Sequence, residues 1–114
     1  MLREQNRIKK RKEFGYIHKH GDPVFGTNII LLYTNNNFKK VRVGFSVSKK
    51  VGKAHVRNKI KRQLRAIVRE YMPNIETSTN YVLIAKPTIA NISFEKMKKE
   101  CIKLFDKVKD KKAV

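Results

Sequence analysis

Between Val41 and Ser48 the chain alternates without a break: Val41, Val43, Phe45 and Val47 interleave with Arg42, Gly44, Ser46 and Ser48. Period two over eight residues is the pattern of a strand with one face turned into a core. That apolar face requires another layer to cover it. The opposite face carries one charge and three small residues, which leaves room for something bulky to lie close against the backbone. A basic loop follows, Lys49-Lys50-Val51-Gly52-Lys53, and then a helical pattern from about Ala54 to Met72, ended by Pro73.

This helix has two unlike sides. With each residue advancing about 100° from Val56, the residues Val56, Ile60, Leu64, Ile67, Val68 and Tyr71 fall between roughly 0° and 120°, one apolar face. Asn58, Arg62, Arg65 and Arg69 fall between roughly 180° and 240°, with Lys61 beside them near 140° and Arg57 at the apolar edge near 100°. A solvated helix face normally mixes both signs of charge. Here no acidic residue occurs from Val56 to Arg69; the first is Glu70. Like charges at Arg62, Arg65 and Arg69 repel unless something neutralises them, and guanidinium groups suit bidentate contacts to phosphate. A membrane-bound helix would keep its apolar face free to insert, and this chain needs that face for the sheet.

The whole chain carries the same bias. Its 114 residues include 28 Lys or Arg and 9 Asp or Glu, a formal net charge of +19. Such a charge on one small domain works against compactness until a polyanion neutralises it, so by composition nucleic acid or an anionic membrane is the expected partner, and the α2 pattern favours nucleic acid. The 40% hydrophobic content argues against a disordered basic tail. A single cysteine excludes an internal disulfide and a multi-cysteine zinc site. The longest apolar run, Ile29 to Tyr33, is far too short to span a bilayer, and Met1 to Asn6 leads straight into the basic run Arg7 to Lys12 without an apolar signal segment. A reduced, cytoplasmic protein with no membrane partner is expected; the basic run could mimic a nuclear address, but in so basic a chain it carries little weight.

The remaining elements complete an α+β chain. Residues 9 to 19 suit a short helix with Phe14 and Ile17 at helical spacing, stopped by Gly21-Asp22-Pro23. Pro23 to Gly26 reads as a weak extended edge, Asn28 to Thr34 as a strand, and Asn35 to Asn37 as a turn. Tyr81 to Ala85 is an all-apolar run fitting a strand buried on both faces. A last helix runs from about Ser93, a suitable N-cap, to Lys109, with Phe94, Met97, Cys101, Leu104, Phe105 and Val108 in one stripe. The expected order is α-β-β-β-α-β-α in one domain, with residues 1–6 and about 110–114 loose.

The helix also carries a specific motif. Arg57-Asn58-Lys59-Ile60-Lys61-Arg62-Gln63-Leu64-Arg65 matches Arg-Asn-x-x-Lys-Arg-x-x-Arg, and this resembles the signature of the bacterial ribonuclease P protein subunit. The stretch Gly44 to Ala54, the segment Arg7-Ile8-Lys9-Lys10, Phe14 and Gly21 are also similar to that family, and the likeness spans roughly residues 7 to 105. The resemblance implies a four-stranded sheet with three helices, the third and fourth strands joined by a left-handed crossover, where general rules favour a right-handed one. It implies a protein that binds a catalytic RNA and, with it, removes the 5′ leader of precursor tRNA, the RNA and its Mg2+ ions hydrolysing the phosphodiester. No obligate protein partner is implied.

By the same resemblance, Arg57, Asn58, Lys61, Arg62 and Arg65 face the catalytic RNA, and Arg69 extends their ridge. A cleft between the first helix and the sheet receives the single-stranded leader, floored by Gly44, Ser46 and Ser48. Phe14 and Tyr33 match its aromatic positions, and Lys49, Lys53 and Lys86 hold leader phosphates. Many members carry a second Phe four residues after the first; here that position is His18, a smaller stacking surface. A ribosomal or other structural RNA-binding protein is the alternative that composition alone leaves open.

Other candidates have blander readings. His18 and His20 point about 200° apart on a helix, and His55 is distant from both, so the three imidazoles show no ligand spacing and no carboxylate cluster for a protein-borne nuclease. Cys101 lies on an apolar stripe, as an inert buried thiol does. Gly52-Lys53 lacks the rest of a phosphate loop. Phe38, Phe45 and Tyr81 read as core or strand-end residues.

Overall fold

The computed structural model describes residues 6–8, 10–36, 40–75 and 78–112. Its elements follow the expected order: α1 (Arg11–His20), β1 (Asp22–Phe25), β2 (Ile29–Asn35), β3 (Val41–Ser46), α2 (Ala54–Tyr71), β4 (Thr79–Ala85) and α3 (Phe94–Lys112), with 3-10 turns at Met72–Asn74 and Pro87–Asn91. The four strands form one mixed sheet in the order β1-β2-β4-β3. β1 pairs antiparallel with β2, β2 antiparallel with β4, and β3 parallel with β4, so α2 is the crossover between two parallel neighbours.

Strand alternation decides what lies on each face. Ile29 and Leu31 of β2, Val41 and Val43 of β3, and Tyr81, Leu83 and Ala85 of β4 point to one side, where Ile60, Leu64, Ile67 and Val68 of α2 and Met97, Cys101, Leu104, Phe105 and Val108 of α3 cover them. Leu32 and Val82 point to the other side and pack with Ile8 and with Ile17 of α1; Phe14, Ile30 and Ile84 border this smaller cluster. The sheet is thus a middle layer between one helix and two.

The second strand agrees with its pattern, the third ends at Ser46, two residues before the alternation does, and two other boundaries move. β4 begins at Thr79, two residues before the apolar run, because polar partners secure its first residues. Asn36 Nδ2 donates to Asn80 Oδ1 at 2.8 Å, and Lys112 Nζ donates to Thr79 Oγ1. α3 continues through Lys112, three residues beyond its expected end near Lys109. At the other end Asn6 donates to Val41 O at 2.6 Å, and Ile8 N to Val43 O at 3.0 Å, so the chain is tied to β3 before α1 starts. Expectations for residues 1–5, Lys9, Asn37, Phe38, Thr77 and residues 113–114 lie outside the described residues. Ser93 caps α3 as expected, accepting from Lys96 N at 3.2 Å.

Candidate nucleic-acid interface

α2 is held by its apolar face, which leaves its basic face outward. Asn58, Lys61, Arg62, Arg65 and Arg69 line one groove along the helix. Its one carboxylate, Glu70, is drawn aside by Lys98 of α3, whose Nζ is 2.9 Å from Glu70 Oε1. Arg57 does not join this groove. Its Nε donates to Gly52 O at 3.2 Å, so the side chain folds back and braces the loop before the helix. Its place at the apolar edge of the wheel turns it away from the ridge.

Arg65 is half-buried. Its guanidinium carbon lies 5.9 Å from the centre of the Phe45 ring. Desolvation by burial, and then the nearby Arg7, push its pKa down from the ordinary arginine value. Together Arg7, Ile8, Phe14, Val43, Phe45, Lys61 and Arg65 line a second concavity around β3, an edge strand. Three cations and two aromatic rings converge there without a carboxylate. The sequence alone does not single out Arg7 or Phe45: Arg7 sits in a long basic run, and Phe45 reads as core because half of it is core.

The small face of β3 is filled by α1. A Cβ on Gly44 would stand 2.6 Å from Phe14 Cζ and 3.2 Å from Ile8 Cβ, so the absent side chain is what seats the ring. Arg42, the one charge on that face, makes a paired contact with Glu13 at 2.5 and 3.0 Å. This bond to Arg42 lowers the Glu13 pKa below its ordinary 4.5, against a smaller opposing effect of burial. Glu13 over Arg42 and Phe14 over Gly44 also fix the roll of α1. His18 lies about 40° beyond Phe14 on the helix, on the flank above the carboxyl ends of β3 and β4, and is exposed.

The expected lysines lie at that same end. Lys49 and Lys53 are exposed in the loop leaving β3, whose tight turns are closed by Val51 N to Ser48 O at 3.0 Å and Gly52 N to Lys49 O at 3.2 Å. Lys86 follows β4 and its backbone N–H donates to Asn28 O, just before β2, at 2.9 Å. Tyr33 is the exception. It is expected beside Phe14, but strand alternation sets it with Ile29 and Leu31 on the α2–α3 side, packed on the larger core. There burial, and then Asp22, raise its phenol pKa.

Cys101 is fully buried, and burial pushes its thiol up to about 12, far from a nucleophile's range. Among the described residues no three His, Cys, Asp or Glu cluster as metal ligands, and no helix is long and apolar enough to cross a membrane.

The chain matches the Ribonuclease P family over residues 2–109. It is 39% identical over 107 residues to the ribonuclease P protein component of Syntrophomonas wolfei, covering 94% of this chain and 90% of that one. It is 38% identical over 106 residues to that of Dictyoglomus turgidum, covering 91% and 89%. A Staphylococcus aureus RNase P protein, a mutant with defective mRNA degradation activity, superposes with a TM-score of 0.87 at 29% identity, covering 93% of this chain and 90% of that one. The RNase P protein from Thermotoga maritima gives 0.83 at 27% identity, covering 89% and 96%. With the motif on the outer face of α2, the small face of β3 under Phe14 and the whole fold in common, the chain belongs to the bacterial ribonuclease P protein family, the protein subunits of a ribonucleoprotein nuclease.

Proposed function

We propose that the protein holds two RNAs in the cytoplasm: the catalytic RNA of ribonuclease P along the α2 groove, and the 5′ leader of precursor tRNA on the α1 side of the sheet. The observation that carries this reading is the concavity at the β3 edge, where Phe14 meets the motif cations Lys61 and Arg65. Asn58, Lys61, Arg62, Arg65 and Arg69 bind backbone phosphates, with Arg57 shaping the loop that presents Lys49 and Lys53. Phe14 stacks on a leader base, His18 offers a smaller second surface, and Lys49, Lys53 and Lys86 neutralise leader phosphates. Tyr33, on the other face, is left out of this path.

The protein's part is to bind and position. Its two surfaces are cationic, and hard divalent cations take oxygen ligands such as carboxylates. The donor set therefore does not fit Mg2+, and we assign the Mg2+ to the RNA, which carries the hydrolysis.

Reconstitution with the cognate catalytic RNA and precursor tRNA at low Mg2+ tests this. The protein is expected to raise 5′ leader removal; no gain overturns the reading, and cleavage by the protein without RNA would relocate the chemistry to its side chains. Within that assay Phe14→Ala is expected to weaken binding of leader-bearing precursor by roughly 5-fold or more while sparing mature tRNA. Equal losses for both would make Phe14 a core residue only.

A further inference from the structure

The α1 side of the sheet is wider than α1. The helix lies over Gly44, Val82 and Leu32. The next row toward the carboxyl ends of β3 and β4 is Ser46, Ile84, Ile30 and Phe25, four residues in register on the same face. The first three are half-buried, and Phe25, on edge strand β1, is 69% exposed. Lys86 continues the alternation two residues beyond Ile84, so it borders the row, as do Lys49 and Lys53 beyond β3.

A single exposed apolar residue on an edge strand is ordinary. Phe25 differs because register places it at the end of a partly open row in which Ile84 and Ile30 are apolar, with cations along one border and the exposed flank of α1, with His18, along the other, while its backbone edge borders Lys99 and Lys103 of α3. Flat apolar surface beside a line of cations is the composition of a track for a single nucleic-acid strand. Three strand spacings, about 14 Å, separate Phe25 from Ser46, a span of several nucleotides.

We propose that Phe25 is a stacking platform for a base of the single-stranded leader, at the far end of this row from Lys49 and Lys53. The proposal rests on the reading that the leader runs along the α1 side. It also accounts for His18: the second large aromatic surface on that side is supplied by β1 instead of by α1. The leader is favoured over the catalytic RNA because this row lies across the sheet from the α2 groove.

The test is equilibrium binding of reconstituted holoenzyme to precursor tRNAs whose leaders lengthen one nucleotide at a time, with mature tRNA as the baseline. Phe25→Ala is expected to match wild type for short leaders and to lose roughly 5-fold or more once the leader reaches β1, with Phe25→Tyr retaining affinity. Phe14→Ala separates the two readings, because its loss should begin at shorter leaders. If Phe14→Ala discriminates and Phe25→Ala equals wild type at every length, the role of Phe25 is refuted while the leader path stands. If neither variant distinguishes precursor from mature tRNA, the path itself fails. Self-association in sedimentation that Phe25→Ala abolishes, with leader affinity unchanged, would make Phe25 a protein contact and also overturn the proposal.

Discussion

Gly44 and Phe14 act as one unit, because the ring occupies the volume a side chain at Gly44 would need. Gly44→Val is expected to cost about 1–3 kcal/mol of stability, read as a lowered urea midpoint. Because the displaced ring is the proposed stacking surface, the same variant should also narrow the preference for precursor over mature tRNA. The neighbouring pair, Glu13 with Arg42, has a pH signature. The folded state depresses the Glu13 pKa, so its stabilisation is present above about 4.5 and is lost as pH falls through the lower folded value. Glu13→Gln is expected to reduce stability at neutral pH and to flatten the acid limb of a stability–pH curve; an unchanged limb would show that the pair contributes nothing. Arg42, the single charge on the small face of β3, is thereby committed to α1. The alternation in β3 indicates that something bulky meets that face. It does not indicate that Glu13 comes with it, since the two residues are 29 positions apart.

At the scale of elements, α2 is the most legible part of the chain. Its apolar period and its unbroken basic face fix burial and exposure with no reference to the rest of the fold. The arginine ridge should therefore behave as a line of independent phosphate contacts. Replacing Arg62 and Arg65 together is expected to weaken binding to the catalytic RNA and to reduce its log–log salt slope by roughly 0.7–0.9 for each phosphate no longer neutralised. A wild-type slope in the double variant would count against direct contact. Strand ends and faces are less legible. Alternation in β2 separates Ile29, Leu31 and Tyr33 from Ile30, Leu32 and Thr34, but nothing local says which set receives α1. For that reason the expected position of Tyr33 is on the wrong side of the sheet. The apolar run of β4 falls two residues short of the strand because Thr79 and Asn80 are polar, and the partners that secure them, Lys112 and Asn36, come from distant parts of the chain.

For the molecule as a whole, the excess of cations is the main source of repulsion in the free protein. Arg42 and Lys98 meet carboxylates, but the α2 groove and the β3-edge concavity gather cations that pair with no carboxylate among the described residues. Anions that bind the native state should stabilise it. Sulfate is expected to raise the thermal midpoint at low ionic strength and to sharpen the unfolding transition followed by circular dichroism; identical melts with and without sulfate would contradict this. The strand order has a separate consequence. β2 and β3 are consecutive in sequence yet do not touch, because β4 lies between them. Until residue 79 and its successors are available, the two halves of the sheet have no shared partner, and the closing contacts are long-range, which slows folding. On a ribosome, the larger part of the chain would emerge before any continuous sheet could exist. The surfaces proposed for RNA are therefore assembled late, by the strand that carries none of the motif.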